Sequence, residues 1–398
     1  MLTETLLTII VGVAAGCFTG LVPGVHVNLI AVILLGLSAW LLKFTSPLLL
    51  SVFIISMAVT HSILDSIPSI FLGAPDSDQV LNVLPGHRLL TKGDGYGAVR
   101  LTLIGSLGGL IIAVALTYPL VLIIERIFPF LQKYIPYFLI FIIALIIIRE
   151  KQKVWAIILF VMAGVLGLGV FGLHLKNPLL PLLSGLFGTS GLLLSIVNKI
   201  NIPKQKFRKL KVKTIPLIKS IGSSVFAGGL VSLLPGVGSA QASIIASQVA
   251  GKIGDRGFLI LVGGVNTVNF ILSFVSFFAL DKARNGAIVV ISKLLETFTL
   301  QNFILFIGVS LLVGGLSVIL ALIFSRIFSK YIVKVNYSIL CLSIIIFVVL
   351  LVFIFSSWLG LFVLLVSTAL GIIPPLVNCG RNHLMGCLIL PVILFFLL

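Results

Sequence analysis

The polar side chains able to do chemistry in this chain are few, and they fall in repeated places. His26 and Asn28 follow a Pro-Gly pair in GCFTGLVPGVHVN, residues 16–28. Ser239, Gln241 and Ser243 follow another in GGLVSLLPGVGSAQAS, residues 228–243. Proline removes a backbone donor and glycine adds freedom, so Pro23-Gly24 and Pro235-Gly236 end one helix and let another start at Val25 or Val237. A helix that starts there points free N–H groups and its positive dipole end at the break. Two such starts meeting near a pseudo-symmetry axis would make an anion site at mid-membrane. Its expected lining is Pro23, Gly24, Val25, His26 and Asn28 from one copy and Pro235, Gly236, Gly238, Ser239 and Gln241 from the other. The plainer alternative is a tight turn at each pair, capped by the polar residues.

A second polar stretch is THSILDSIPSIFLGAPDSD, residues 60–78. His61 and Asp65 stand four apart and share a helix face, with Ser62 at its edge. Asp65 follows a mostly apolar run, and an ionisable group at membrane depth is by default a functional candidate. A carboxylate beside a histidine can take up a proton, and Asp65 can equally bind Na⁺. His61, Ser62 and Asp65 are therefore the expected coupling-ion group, the alternative being a helix end at the water surface. In GGVNTVNFILSF of the later half, Asn266 and Asn269 take the polar places. Buried amides there suit carboxylate or cation contacts, and interhelical hydrogen bonds suit them equally. No other cofactor and no metal site is expected. The four cysteines, Cys17, Cys341, Cys379 and Cys387, form no CxxC pair and read as buried apolar thiols.

The elements that must position these residues are membrane helices. Sixty per cent of the chain is hydrophobic and 9% charged, where a soluble domain carries about a quarter charged residues. Apolar stretches such as 98–124, 154–173, 302–325 and 336–355 reach the roughly twenty residues that span a bilayer. An all-α polytopic membrane protein follows. The net charge of +17 is concentrated: eight Lys and Arg lie in the acid-free stretch 199–219, which reads as a cytoplasmic linker and gives no case for nucleic acid. Anionic lipid of the bilayer is a natural neighbour for it.

The chain also repeats itself. Over residues 16–25 and 228–237, five of ten positions are identical, and Gly12, Gly16 and Gly20 align with Ser224, Gly228 and Ser232. Each copy so carries a small-residue face that lets helices approach closely. The expected organisation is an N-terminal transmembrane repeat, 1–198, the basic linker 199–219, and a C-terminal repeat, 220–398. Loop charge gives the relative orientation. REKQK at 149–153 falls inside with the linker, whereas its later counterpart around Ser356 is uncharged, and the basic turn with Arg326, Lys330 and Lys334 matches an outer turn of the first half. Inverted-topology repeats with broken or re-entrant helices explain that swap, and they put both termini outside a cell membrane.

No ATP-binding loop, G-x-S-x-G elbow, H-E-x-x-H pair or channel filter is present, so the chain is not read as an enzyme, a motor or a channel. At its Pro-Gly motifs it resembles the TctA family, the large membrane subunit of tripartite tricarboxylate transporters. The family element G-x-x-x-G-x-x-P-G stands here as Gly16, Gly20, Pro23 and Gly24, and a downstream element resembles Gly73-Ala-Pro75 followed by Pro85-Gly86 and Gly93. The resemblance implies a secondary transporter for organic carboxylates, coupled to an H⁺ or Na⁺ gradient by alternating access. In bacterial systems it also implies a small membrane subunit and an extracytoplasmic binding protein. The shorter chain and the reduced later element at Asn266, Asn269 and 284–287 point to a divergent, standalone branch of archaeal type, with a homodimer as a possible assembly. A membrane-embedded lipid-processing or lipid-translocating protein is the alternative, since it too would use a basic cytoplasmic face and intramembrane polar groups.

Overall fold

The computed structural model describes all residues except 1, 23–26, 74–80, 82, 176, 199–201, 211, 234–237, 296 and 398. The described residues form helices and no strand. Nine of the described helices are long and apolar enough to cross a membrane, and two shorter apolar ones accompany them.

The first half runs α1 Leu2–Leu21, α2 Val27–Gly36, α3 Pro47–Phe71, α4 Val83–Thr91, α5 Gly95–Phe130, α6 Pro136–Arg149, α7 Lys153–Gly172 and α8 Leu179–Val197. The backbone stays helical from Gly95 to Arg149, which at about 1.5 Å per residue is far longer than a ~30 Å bilayer core. Pro129 and Pro136 bracket the place where α5 gives way to α6. Within α3, Asp65 is a one-residue interruption: Pro68 has no N–H to give to Leu64, so the helix loosens there.

The second half repeats this order. It contains α9 Thr214–Ser232, α10 Ser239–Ala250, α11 Gly254–Leu280, α12 Gly286–Leu294, α13 Leu300–Tyr331, α14 Tyr337–Leu376 and α15 Arg381–Leu397. Where the first half turns between α6 and α7, α14 breaks at Ser357, whose φ of 58° is left-handed. Ser356 Oγ there donates to Asn177 O (3.2 Å), tying the break to the other half.

Packing between the halves is reciprocal. α3 packs on α13, where Ser317 Oγ donates to Thr60 Oγ1 (2.9 Å), and α11 packs on α5, where Ser106 Oγ donates to Gly263 O (3.1 Å). α7 lies on α15, and α8 lies on α14 with Thr189 and Thr368 hydroxyls 2.6 Å apart. Helices of each half so find their partners in the other half. The large apolar clusters draw on both halves, so neither half has a core of its own. Tyr118, Leu122, Val154, Val165, Ile319 and Trp358 stay exposed on outer faces, as lipid-facing residues do.

The linker is more than a solvated run of charge. Residues 202–210 have no regular secondary structure and dock against the corner between α4 and α5. Lys206 N–H donates to Gly93 O (2.7 Å), and Gly95 N–H donates to Gln205 Oε1 (2.8 Å). Gln205 Nε2 reaches Leu90 O (3.1 Å), and Arg100 Nη1 reaches Arg208 O (3.1 Å).

Candidate functional site

The small-residue faces set the register of the site. A Cβ on Gly12 would stand 2.6 Å from Ser56 Cβ, and one on Gly16 2.6 Å from Met57 O and 2.5 Å from Thr60 Cβ. α1 therefore lies backbone to backbone on α3. In the second half Gly228 meets Val265 and Val268 of α11, Ser224 lies against Gly264, and Ser276 Oγ donates to Ser232 O (2.9 Å). Thr60 opposite Gly16 and Val268 opposite Gly228 make these equivalent contacts. By that pairing His61 corresponds to Asn269, and Asp65 to Ser273.

A chain of neutral polar groups, buried at its Ser239–Asn266 link, runs from this register. Gly238 is the extended N-cap of α10, and its N–H donates to Gln241 Oε1 (3.0 Å). Next along, Ser239 Oγ donates to Asn266 Oδ1 (3.2 Å) and accepts from Asn269 Nδ2 (3.2 Å). Asn266 Nδ2 in turn donates to Ser62 O on α3 (3.2 Å), which carries the chain into the first half. Ser239, Gln241 and Asn266 are buried, and so are His61 and Asp65, the carboxylate being enclosed at 3% exposure. Asp65 N–H donates to His61 O (2.9 Å), and Ser69 Oγ donates to Asp65 O (2.8 Å).

Of the residues expected at the site, the structure thus joins Ser239, Asn266, Asn269 and the backbone of Ser62, with Gly238 and Gln241 at the head of the same helix. Gln241 uses its amide oxygen to cap its own helix. His61 and Asp65 stand on α3 beside this junction. Pro23, Gly24, Val25, His26, Pro235 and Gly236 lie outside the described residues, and so does the side chain of Asn28. Amides, a hydroxyl and the N-terminal end of a twelve-residue helix can receive an anion. Asp65 is the group nearby that can take a proton or a cation.

Sequence reasoning missed a further cluster. Glu150, in the turn between α6 and α7, accepts from His383 Nε2 (3.2 Å) and from Gly380 N–H (3.3 Å) through Oε2, and from Lys151 N–H (3.0 Å) through Oε1. Cys379, read above as an apolar thiol, stands with them, the donor atoms of Glu150, Cys379 and His383 lying within 4.8 Å of one another. That donor set suits a borderline divalent ion such as zinc. As it stands, it is a clamp that holds residues 379–383 to the α6–α7 turn. Arg381 in that segment is 6% exposed and lines two cavities. The available signal was the polar island NCGRNH between long apolar stretches.

Comparison with known proteins agrees with the architecture. The model of the tripartite tricarboxylate transporter TctA family matches residues 6–386. An uncharacterized protein of Methanocaldococcus jannaschii is similar, at 28% identity over 98% of this chain and 99% of its own length. No solved structure matches. A family match over nearly the whole chain, on a bundle of apolar helices, makes this a multi-pass membrane protein of a transporter family: the chain belongs to the tripartite tricarboxylate transporter TctA family.

Proposed function

We propose that this protein is a secondary active transporter of a small organic anion, a carboxylate, coupled to an H⁺ or Na⁺ gradient. The observation that carries the reading is the polar chain Ser62 O, Asn266, Ser239, Asn269, which crosses from one half to the other at the start of α10. A polar junction between halves is where alternating access needs its ligand, because relative motion there makes and breaks contacts on both sides. The two amides and the hydroxyl bind the anion, and Asp65 carries the coupling proton or Na⁺. Support for inverted halves comes from the swap of basic turns between them, together with the reciprocal helix pairing. The linker then faces the cytoplasm and both termini lie outside.

The test is uptake of labelled citrate and succinate by proteoliposomes under imposed H⁺ or Na⁺ gradients. Accumulation that collapses with the matching ionophore is expected. Asn266→Ala, which removes the side-chain donor to Ser62 O and one of the two partners of Ser239 Oγ, should slow it on the order of tenfold. Absence of gradient-driven uptake for every organic anion tried would sink the proposal.

A further inference from the structure

Arg381 presents a buried charge that no described residue neutralises. Its residue is 94% removed from solvent, being 6% exposed, yet Nη1 finds only Phe187 O, at 3.4 Å, and Nε has no partner. Among the described residues no carboxylate pairs with it. Glu150, the nearest acid along the clamp, is engaged with His383 and with Gly380 N–H instead. A buried guanidinium left in that state is unfavourable unless an anion arrives to meet it.

The surroundings are built for such an arrival. Arg381 lines a cavity of ≈570 Å³ and a second of ≈270 Å³, which share only Arg381 and Arg88. The larger is the size of a small-molecule site. Among the described residues its rim carries Arg88 and Lys252 against one acid, Asp255, and Arg88 with Asp255 forms an exposed pair at 3.1 Å. With Arg381 the described lining keeps a positive balance. Gly191 leaves room for the head group, since a Cβ there would stand 3.3 Å from Arg381 Nη1. The carbonyl of Phe187 is presented by a π-helical turn, Ser184–Thr189, inside α8, and such turns recur at functional sites.

Ile244 and Ser247 of α10 form part of the wall of the larger cavity. Ser239 of the polar junction begins the same helix, about 12 Å along its axis from Ser247 at the usual rise per residue. We infer that Arg381 is a substrate-recognition residue: it binds a carboxylate of the organic anion in a vestibule at the Glu150 end of α10, one step from the polar junction at the other end. The planar fork of arginine suits a carboxylate bidentately, and a lysine would not replace it. This inference takes its ligand class from the transporter reading above, and the test separates the two.

The experiment measures binding of succinate, citrate, inorganic phosphate and glycerol to the full chain in nanodiscs, by calorimetry and thermal shift. Wild type should bind a carboxylate and not glycerol. Arg381→Gln should weaken that binding on the order of thirtyfold or more. If Arg381→Gln does not fold, Arg381→Lys decides, because it keeps the charge and removes the fork. A folded variant that binds as well as wild type overturns the inference, and so does a preference for phosphate. Uptake that proceeds with binding indifferent to Arg381 removes this inference and leaves the transporter reading intact. Arg381-dependent binding with no uptake of any anion does the reverse.

Discussion

At the scale of single residues, Glu150 shows how the last segment is held. Burial pushes its carboxyl up, but the hydrogen bonds from His383, Lys151 N–H and Gly380 N–H outweigh it and hold the group below the ordinary glutamate value. A carboxyl held low in the folded state contributes stability that is complete above its unfolded value. That contribution disappears as pH falls through the folded value. Glu150→Gln should therefore melt below wild type at neutral pH, and the gap should close on acidification beneath the ordinary glutamate range. Melting curves from about pH 7 to about pH 3 check this, and a gap that ignores pH would remove the carboxylate charge from the account. Residues of the polar junction were legible in the sequence because Ser239, Asn266 and Asn269 interrupt apolar runs. The use Gln241 makes of its amide was not, since capping depends on where the helix starts. Arg381 was illegible for a different reason: in NCGRNH it looks like one more residue of a polar turn, and only tertiary packing buries it.

Helices in this protein meet through backbone. A Cβ on Gly105 would fall on Ile260 O, and one on Gly263 would fall on Thr102 O, so α5 and α11 touch without intervening side chains. Gly263→Val should force these helices apart at about 3 kcal/mol or more, beyond ordinary overpacking because carbonyls cannot step aside. Gly308→Ala, where a Cβ meets nothing within 4 Å, should leave stability equal or slightly raised. Melting temperature and monodispersity of the two variants in detergent compare them, and equal losses would rule out the backbone contact as the cause. The stripe Gly12, Gly16, Gly20 could be read from its spacing of four. Gly105 and Gly263 could not, because nothing local says which glycine of IGSLGG or VGGV faces a partner.

At the scale of the whole molecule, the register proposed for the two halves sets unlike chemistry against itself: His61 against Asn269, Asp65 against Ser273, and Arg381 against Leu180. The Pro-Gly motifs and the loop charges carry the expectation of repetition, whereas the pairing of helices between the halves needed three dimensions. Sidedness is testable at this scale. With Thr3→Cys and Lys209→Cys, both exposed positions, an impermeant maleimide on intact cells should label the first and reach the second only after permeabilisation. The opposite pattern would reverse the proposed orientation. One last consequence belongs to the linker. It is hydrogen-bonded to the Gly93 corner of the first half and continues covalently into α9 of the second. Any sliding of α9 past α5 therefore loads Lys206–Gly93 and Gln205–Gly95 early. Were the halves to move in that way, the segment would act as a short leash and gather the resistance at one corner of the backbone.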